Sequence, residues 1–350
     1  LQTYFIDVWY NRKRNFIKYW GGKMKVGKLT VDDLRELIFK NLKSTRKEVL
    51  SNPEIGGDCA IVDSKDKVIY LSSDPITGTS KGIGKLSVNI NCNDIATAGV
   101  EPLGLMVTIL APEGTKREEI EEIAKEIQEE CDKLNVDVLG GHTEITSAVN
   151  KIIISATAIG LGEKEEIKIK ERVKEGDEIL ITKGIGIEGT GIIAYEKEEE
   201  LKERFGPELL EKAKKFLEKT SVVREGLIGK KYAKGMHDVT EGGILGAVWE
   251  MGEFYGLGVE LIEENLIVGE ETLKIAQHFN IDPLRLISSG TMLMIYPKEA
   301  RESIVEELKR KGIESFIIGK FISGDEKYIL GKNGKTWIAP PESDELYKVL

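Results

Sequence analysis

Met236-His237-Asp238-Val239-Thr240-Glu241-Gly242-Gly243 packs a histidine, two carboxylates and a glycine pair ahead of an apolar run over 244–255 that reads as a helix. Four other runs share its character: Gly56-Gly57-Asp58, Ser72-Ser73-Asp74, Asn93-Asp94 and Gly140-Gly141-His142-Thr143-Glu144. Each sets a carboxylate beside glycines or small polar residues. If several of these carboxylates converge, mutual repulsion raises their pKa values and destabilises the site until a divalent cation compensates. Mg²⁺ on a nucleotide polyphosphate is the commonest such cation.

Outward from these runs, strand-like and helix-like segments alternate. Residues 58–62 and 68–72 read as paired strands, 103–110 as a long apolar strand and 151–159 as an isoleucine-rich one. Thr115 with Glu118 has capping-box spacing, and the helix that follows aligns Ile120, Ile123, Ala124, Ile127, Cys131 and Leu134 on one face. Asn93 and Asp94 are placed to cap a following helix. The charged stretch 163–176 suits a connector between two domains. A second alternation comes after it: strand 178–182, helices 207–219 and 244–255, strand 291–296, helix 301–311, strand 315–318. Asn333-Gly334 signals a hairpin. The expected organisation is an extension over 1–23, domains over 24–162 and 177–330 flanking the 163–176 linker, and a hairpin and tail over 331–350.

At 350 residues, 41% hydrophobic and 31% charged, the chain can bury more than one core. Its net charge of −10 argues against a nucleic-acid surface, which needs clustered Lys and Arg. Three cysteines, Cys59, Cys92 and Cys131, are odd in number and lack metal-ligand spacing, so neither a disulfide framework nor a zinc site is expected and a reducing cytoplasm fits best. No run approaches the roughly 18 apolar residues of a membrane span. Residues 1–22 lack the continuous apolar core of an export signal, and a natural domain start near Met24 is expected.

Gly184-Ile185-Gly186-Ile187-Glu188-Gly189 matches the dinucleotide-binding pattern, but the charged helical stretch 196–204 replaces the second strand and acidic residue that pattern needs. A strand-to-helix turn explains it. Around Gly84-Lys85 the phosphate-loop pattern fails too, because Leu86 stands where Ser or Thr is required.

Taken in order, Gly27-Lys28-Leu29, GGDCAIV over 56–62, Asp74, IGKL from Ile83, NDIATAGVEPL over 93–103, GGHTE from Gly140, MHDVTEGG over 236–243 and DPLRLISSG over 282–290 resemble the aminoimidazole ribonucleotide (AIR) synthase related family. That family includes AIR synthase, thiamine-monophosphate kinase, selenophosphate synthetase and the hydrogenase maturation protein HypE, whose MHDPTRGG run is the nearest likeness to MHDVTEGG. The resemblance implies a two-domain α/β (α+β) fold with a dimer-forming sheet in the first domain, ATP and Mg²⁺ as cofactors, and phosphoryl transfer to an amide or carbonyl oxygen of a small-molecule or protein-borne substrate. It implies Asp58, Asp74 and Asp94 as Mg²⁺ ligands with Asn93 beside them, Glu144 and Asp238 adding ligands or orienting water, and Lys28 and Lys85 on phosphates. Gly140-Gly141 and Gly242-Gly243 would offer backbone N–H groups to anions. His142 and His237 are candidate proton-transfer groups.

The family's properties do not all carry over. HypE proteins use a terminal cysteine on a tail, and here no cysteine follows Cys131. The reactive cysteine segment of selenophosphate synthetases is absent as well. A kinase of thiamine-monophosphate type, AIR synthase itself, or a non-catalytic nucleotide-binding partner in metalloenzyme maturation stand as alternatives. A homodimer and a possible maturation-factor partner are expected, with no nucleic acid and no membrane.

Overall fold

The computed structural model describes residues 30–35, 47–51, 54–79, 81–166 and 173–350, so the reading of Lys28 and of the extension 1–23 lies outside the described residues. The first half is built on a five-stranded sheet of β1 (Ala60–Asp63), β2 (Lys67–Ile76), β3 (Pro102–Ala111), β4 (Asp137–Ile145) and β5 (Ile153–Glu163). Its order is β1-β2-β5-β3-β4, with only β3 and β4 parallel. Strand β5 alternates buried and part-exposed residues along its length, the signature of a sheet with one covered face. Two helices cover that face, α1 (Ile83–Thr97) and α2 (Arg117–Leu134).

Helix α1 corrects the sequence reading. Asn93 and Asp94 do not cap a following helix but lie inside α1, where 13 of the 15 residues are buried. A helix buried on every side has no polar stripe, so its periodicity is lost. In α2 the cap also falls one residue late: the Glu119 carboxylate accepts the Lys116 N–H at 2.8 Å, while the Thr115 hydroxyl donates to the Pro112 carbonyl. Ile123, Ile127 and Cys131 are buried as the spacing predicts, whereas Ala124 is exposed.

The second half carries a seven-stranded sheet of β6 (Glu178–Thr182), β7 (Gly235–Asp238), β8 (Gly258–Ile262), β9 (Met292–Tyr296), β10 (Ser315–Ile322), β11 (Lys327–Gly331) and β12 (Gly334–Trp337). The order is β12-β11-β8-β10-β6-β9-β7, and only β11 and β8 run parallel. Its helices are α3 (Ile187–Glu196), α4 (Glu198–Phe205), α5 (Pro207–Lys214), α6 (Val223–Gly229), α7 (Gly243–Tyr255), α8 (Glu270–Phe279) and α9 (Arg301–Arg310). Strand β6 turns through Gly184 and Gly186 into α3 and then α4, so the glycine pattern is a strand-to-helix turn. Gly331 pairs with Gly334, so the β11–β12 turn is Lys332-Asn333, one residue earlier than the Asn-Gly signal suggests.

The halves share a core that runs from Val68 and Ile95 through Ile192, Leu217 and Val223 to Leu346. Helices α1 and α6 meet so closely that a Cβ on Gly226 would lie 2.2 Å from the Ala96 carbonyl oxygen. Only glycine permits that approach. Among the described residues no helix is long and apolar enough to cross a membrane.

Candidate functional site

Four of the acidic runs meet where the halves join. Ser72 and Asp74 lie on β2, which packs against α1; the Ser72 hydroxyl donates to the Asp94 carboxylate. Asn91, three residues before Asp94, clamps the backbone of Asp74, accepting its N–H at 2.8 Å and donating to its carbonyl at 3.3 Å. From the second half, β7 ends at Asp238 and brings His237 against Asp58 at 2.9 Å. The other imidazole nitrogen faces the Glu250 carboxylate of α7 at 3.3 Å. Burial works against charge on His237, yet Asp58 and Glu250 hold its pKa well above the ordinary value. One donor atom each of Asp58, His237 and Asp238 lies within 4.8 Å of the others.

The electrostatics show what this site lacks. Burial pushes the Asp94 carboxyl well above the usual range, and Asp238, Asp74 and Asp58 push it further. Asp238 is raised by burial and then by Asp58. The Asp238 Oδ2 atom is buried with no hydrogen-bond partner among the described residues. A carboxylate oxygen left unpaired beside other carboxylates is costly unless a cation fills the gap.

A profile described as the AIR synthase related protein, N-terminal domain, matches residues 56–162, and its C-terminal counterpart matches residues 174–332. The chain belongs to the AIR synthase related family. A protein of Methanocaldococcus jannaschii named for hydrogenase expression and formation is 30% identical over 304 residues, covering 84% of this chain and 88% of that protein. Among solved structures, a HypE–HypF complex matches with a TM-score of 0.68 at 22% identity, over 80% of this chain and 93% of that one. The ThiL structure complexed with AMPPCP and TMP matches with a TM-score of 0.71 at 20% identity, over 92% and 99%. At such identities the structures speak for the fold, and the family's two-domain architecture is the one seen here.

The donor set suits the Mg²⁺ implied by the family: hard carboxylate oxygens, an unpartnered Asp238 atom, and a surplus of negative charge that the nearby His237 does not cancel. His237 itself spends both ring nitrogens on carboxylates, which leaves neither for a metal.

The family's remaining sequence signals are distributed elsewhere. Asn93 gives its amide entirely to the other half, donating to the Thr220 carbonyl at 2.8 Å and accepting the Val222 N–H at 2.7 Å. Lys85 lies nine residues from Asp94 on α1, about 13 Å along the axis. There the α1 N-terminus is met by Glu126, which accepts the Gly84 N–H at 2.9 Å. Gly140, Gly141, His142 and Glu144 lie on the edge strand β4, where His142 and Glu144 are exposed and pair with each other at 3.2 Å. A Cβ on Gly141 would fall 1.8 Å from the Val107 carbonyl oxygen, so close strand packing accounts for that glycine. Gly242 and Gly243 begin α7, both at positive φ, and the Gly242 N–H already donates to the Asp344 carboxylate at 2.7 Å.

Sequence reasoning missed Ser72, Asn91 and Glu250 as partners of the site. Glu250 left a signal, being the single carboxylate within the apolar run Ile244–Gly252. Ser72 stood in a run that was read for Asp74 rather than for its own hydroxyl, and Asn91 left no signal, because a small polar residue at a helix position is ordinary.

Proposed function

We propose that this chain binds ATP together with Mg²⁺ and transfers the γ-phosphoryl group to an amide or carbonyl oxygen of its substrate. The observation that carries the reading is the meeting of Asp58, Asp94 and Asp238 across the joint between the halves, with Asp94 and Asp238 both raised and one Asp238 oxygen unpartnered. In the reaction the substrate oxygen forms a bond to the γ-phosphorus as the bond to the bridging oxygen breaks, and ADP leaves with that electron pair. The activated oxygen then becomes a good leaving group.

The cation, when bound by Asp58, Asp74, Asp94 and Asp238, supplies the charge that neutralises the phosphates. The protein contributes position rather than a nucleophile. Asp58 is oriented by His237, which Glu250 holds from behind; Asp94 is oriented by Ser72, and the Asp74 backbone by Asn91. The likeness to ThiL bound to AMPPCP supports nucleotide use.

Homodimerisation belongs to this proposal. Leu103, Met106, Val138, Leu139, Ile145 and Leu161 stand exposed on β3, β4 and β5. An apolar sheet of this kind marks an interaction surface, and pairing two copies also covers the β4 edge. In such a dimer Gly140, Gly141, His142 and Glu144 lie at the subunit boundary, available to a site shared by both subunits. The likeness to HypE in its complex with HypF supports a maturation-factor partner.

Calorimetric titration of ATP against the parent and Asp94→Asn tests the core of the reading. Affinity that collapses on Mg²⁺ chelation and weakens in Asp94→Asn, with the fold intact, is expected; equal ATP binding with and without Mg²⁺ refutes it. ADP release on adding amide-bearing compounds supports the activation chemistry, release with phosphate monoesters such as TMP alone favours a kinase of the ThiL kind, and bound ATP that is never hydrolysed favours a scaffold.

A further inference from the structure

After β12 the chain leaves the sheet and crosses to the N-terminus of α7. The Ile338 N–H donates to the Lys327 carbonyl at 2.9 Å, and the Ala339 carbonyl accepts from Arg285 at 3.1 Å. Pro341 then lies over Gly242 and Gly246, within 3.2 and 3.5 Å of where their Cβ atoms would be. Asp344, 1% exposed, accepts three backbone N–H groups: Gly242 at 2.7 Å, Leu346 at 2.8 Å and Ile287 at 3.2 Å. The Tyr347 hydroxyl donates to Glu241 at 2.7 Å. Leu346 is buried in the core shared by both halves, close to Gly78 of the first.

Glu241 and Gly242, consecutive residues of the turn that follows Asp238, are thus both gripped by one segment. Asp238 needs that grip. Its carboxyl meets Asp94, but its Oδ2 has no hydrogen-bond partner, so the aim of that oxygen depends on the backbone that carries it, on β7 on one side and the turn 239–242 on the other. Among the described residues strand β7 is an edge strand, paired with β9 alone, so its ladder restrains one side. The Asp344 carboxylate joins the turn to the 282–290 loop through Ile287 and compensates the positive end of the α7 dipole.

We propose that Asp344 and Tyr347 are positioning residues of the metal site, holding the Asp238 turn in the geometry that receives the cation. The inference rests on the reading of Asp238 as a metal ligand. It also gives the Gly242 N–H its anion, the chain's own carboxylate. A ligand phosphate there would have to displace Asp344 and face Glu241 and the buried Glu188, whose pKa is raised to about 7, by burial first and with the Asp344 charge adding to it.

The test uses Mn²⁺ in place of Mg²⁺, titrated into the full chain and followed by electron paramagnetic resonance, with thermal unfolding measured in parallel. Tyr347→Phe removes one hydroxyl from a ring that stays in place, and Asp344→Ser removes the carboxylate. Both variants are expected to bind Mn²⁺ about tenfold more weakly, the usual effect of losing a group that orients a metal ligand. The parallel control Asp58→Asn is expected to weaken it more. If Asp344→Ser fails to fold, Tyr347→Phe decides alone. Tyr347→Phe binding within about twofold of the parent, while Asp58→Asn loses binding, overturns the positioning role and leaves the metal reading standing. Mn²⁺ binding unchanged in Asp58→Asn overturns the metal reading itself, and this inference with it.

Discussion

Replacing Asn93 by alanine separates two roles that its sequence position allows. Asn93 is fully buried, and its amide spans the joint between the halves with bonds of 2.8 and 2.7 Å to the backbone at Thr220 and Val222. Alanine leaves a buried carbonyl and a buried N–H without partners, each costing about 1–3 kcal/mol, so a loss of about 3 kcal/mol is expected. For a chain of this length that corresponds to a fall in Tm of roughly 4 °C. Differential scanning calorimetry reads the shift, and Asn93→Leu, which keeps the branched outline but is bulkier, should lose at least as much because both backbone groups remain unpaired. A Tm unchanged within about 1 °C in Asn93→Ala, accompanied by loss of nucleotide binding, would refute this account and return Asn93 to the place beside the Mg²⁺ ligands that the resemblance implies.

Two further outcomes come from the charges and the exposed sheet. Asp94 and Asp238 have raised carboxyl pKa values and His237 a raised imidazole pKa in the folded state, so in chelator these three groups contribute stability that is fully present at low pH and is lost as pH rises from about 4 through about 7 and, for Asp94 and His237, beyond; the gain in Tm on adding Mg²⁺ should therefore widen as pH rises, as paired thermal melts across a pH series would read. A gain in Tm on adding Mg²⁺ that stays constant over this window would contradict the convergence of the carboxylates. Leu139→Glu places a charge on the exposed apolar face, at its β4 edge, and should give a monomer by light scattering where a dimeric parent is expected, with little change in fold because Leu139 is 49% exposed. A monomeric parent at micromolar concentration would refute the dimer.

Sequence alone determined the list of ingredients. The order of the acidic and glycine-rich runs pointed to the family, and the isoleucine-rich strand that became β5 together with the helical spacing of Ile123, Ile127 and Cys131 was legible because each depends on local composition and periodicity. The discounted glycine pattern at 184–189 was legible for the same reason, since the charged stretch after it is visibly helical. Tertiary structure decided which ingredients meet. Asp94 reaches Asp238 only because α1 is buried on all sides between sheet and second half, and that complete burial is what erased its helical stripe from the sequence. Asn93, one residue away, turns about 100° around the same helix and therefore spends its amide on Thr220 and Val222 instead. Asp344 and Tyr347 had no motif to announce them, because their work is done through backbone N–H groups and one hydroxyl about a hundred residues away, and contacts of that range exist only once the chain has closed on itself.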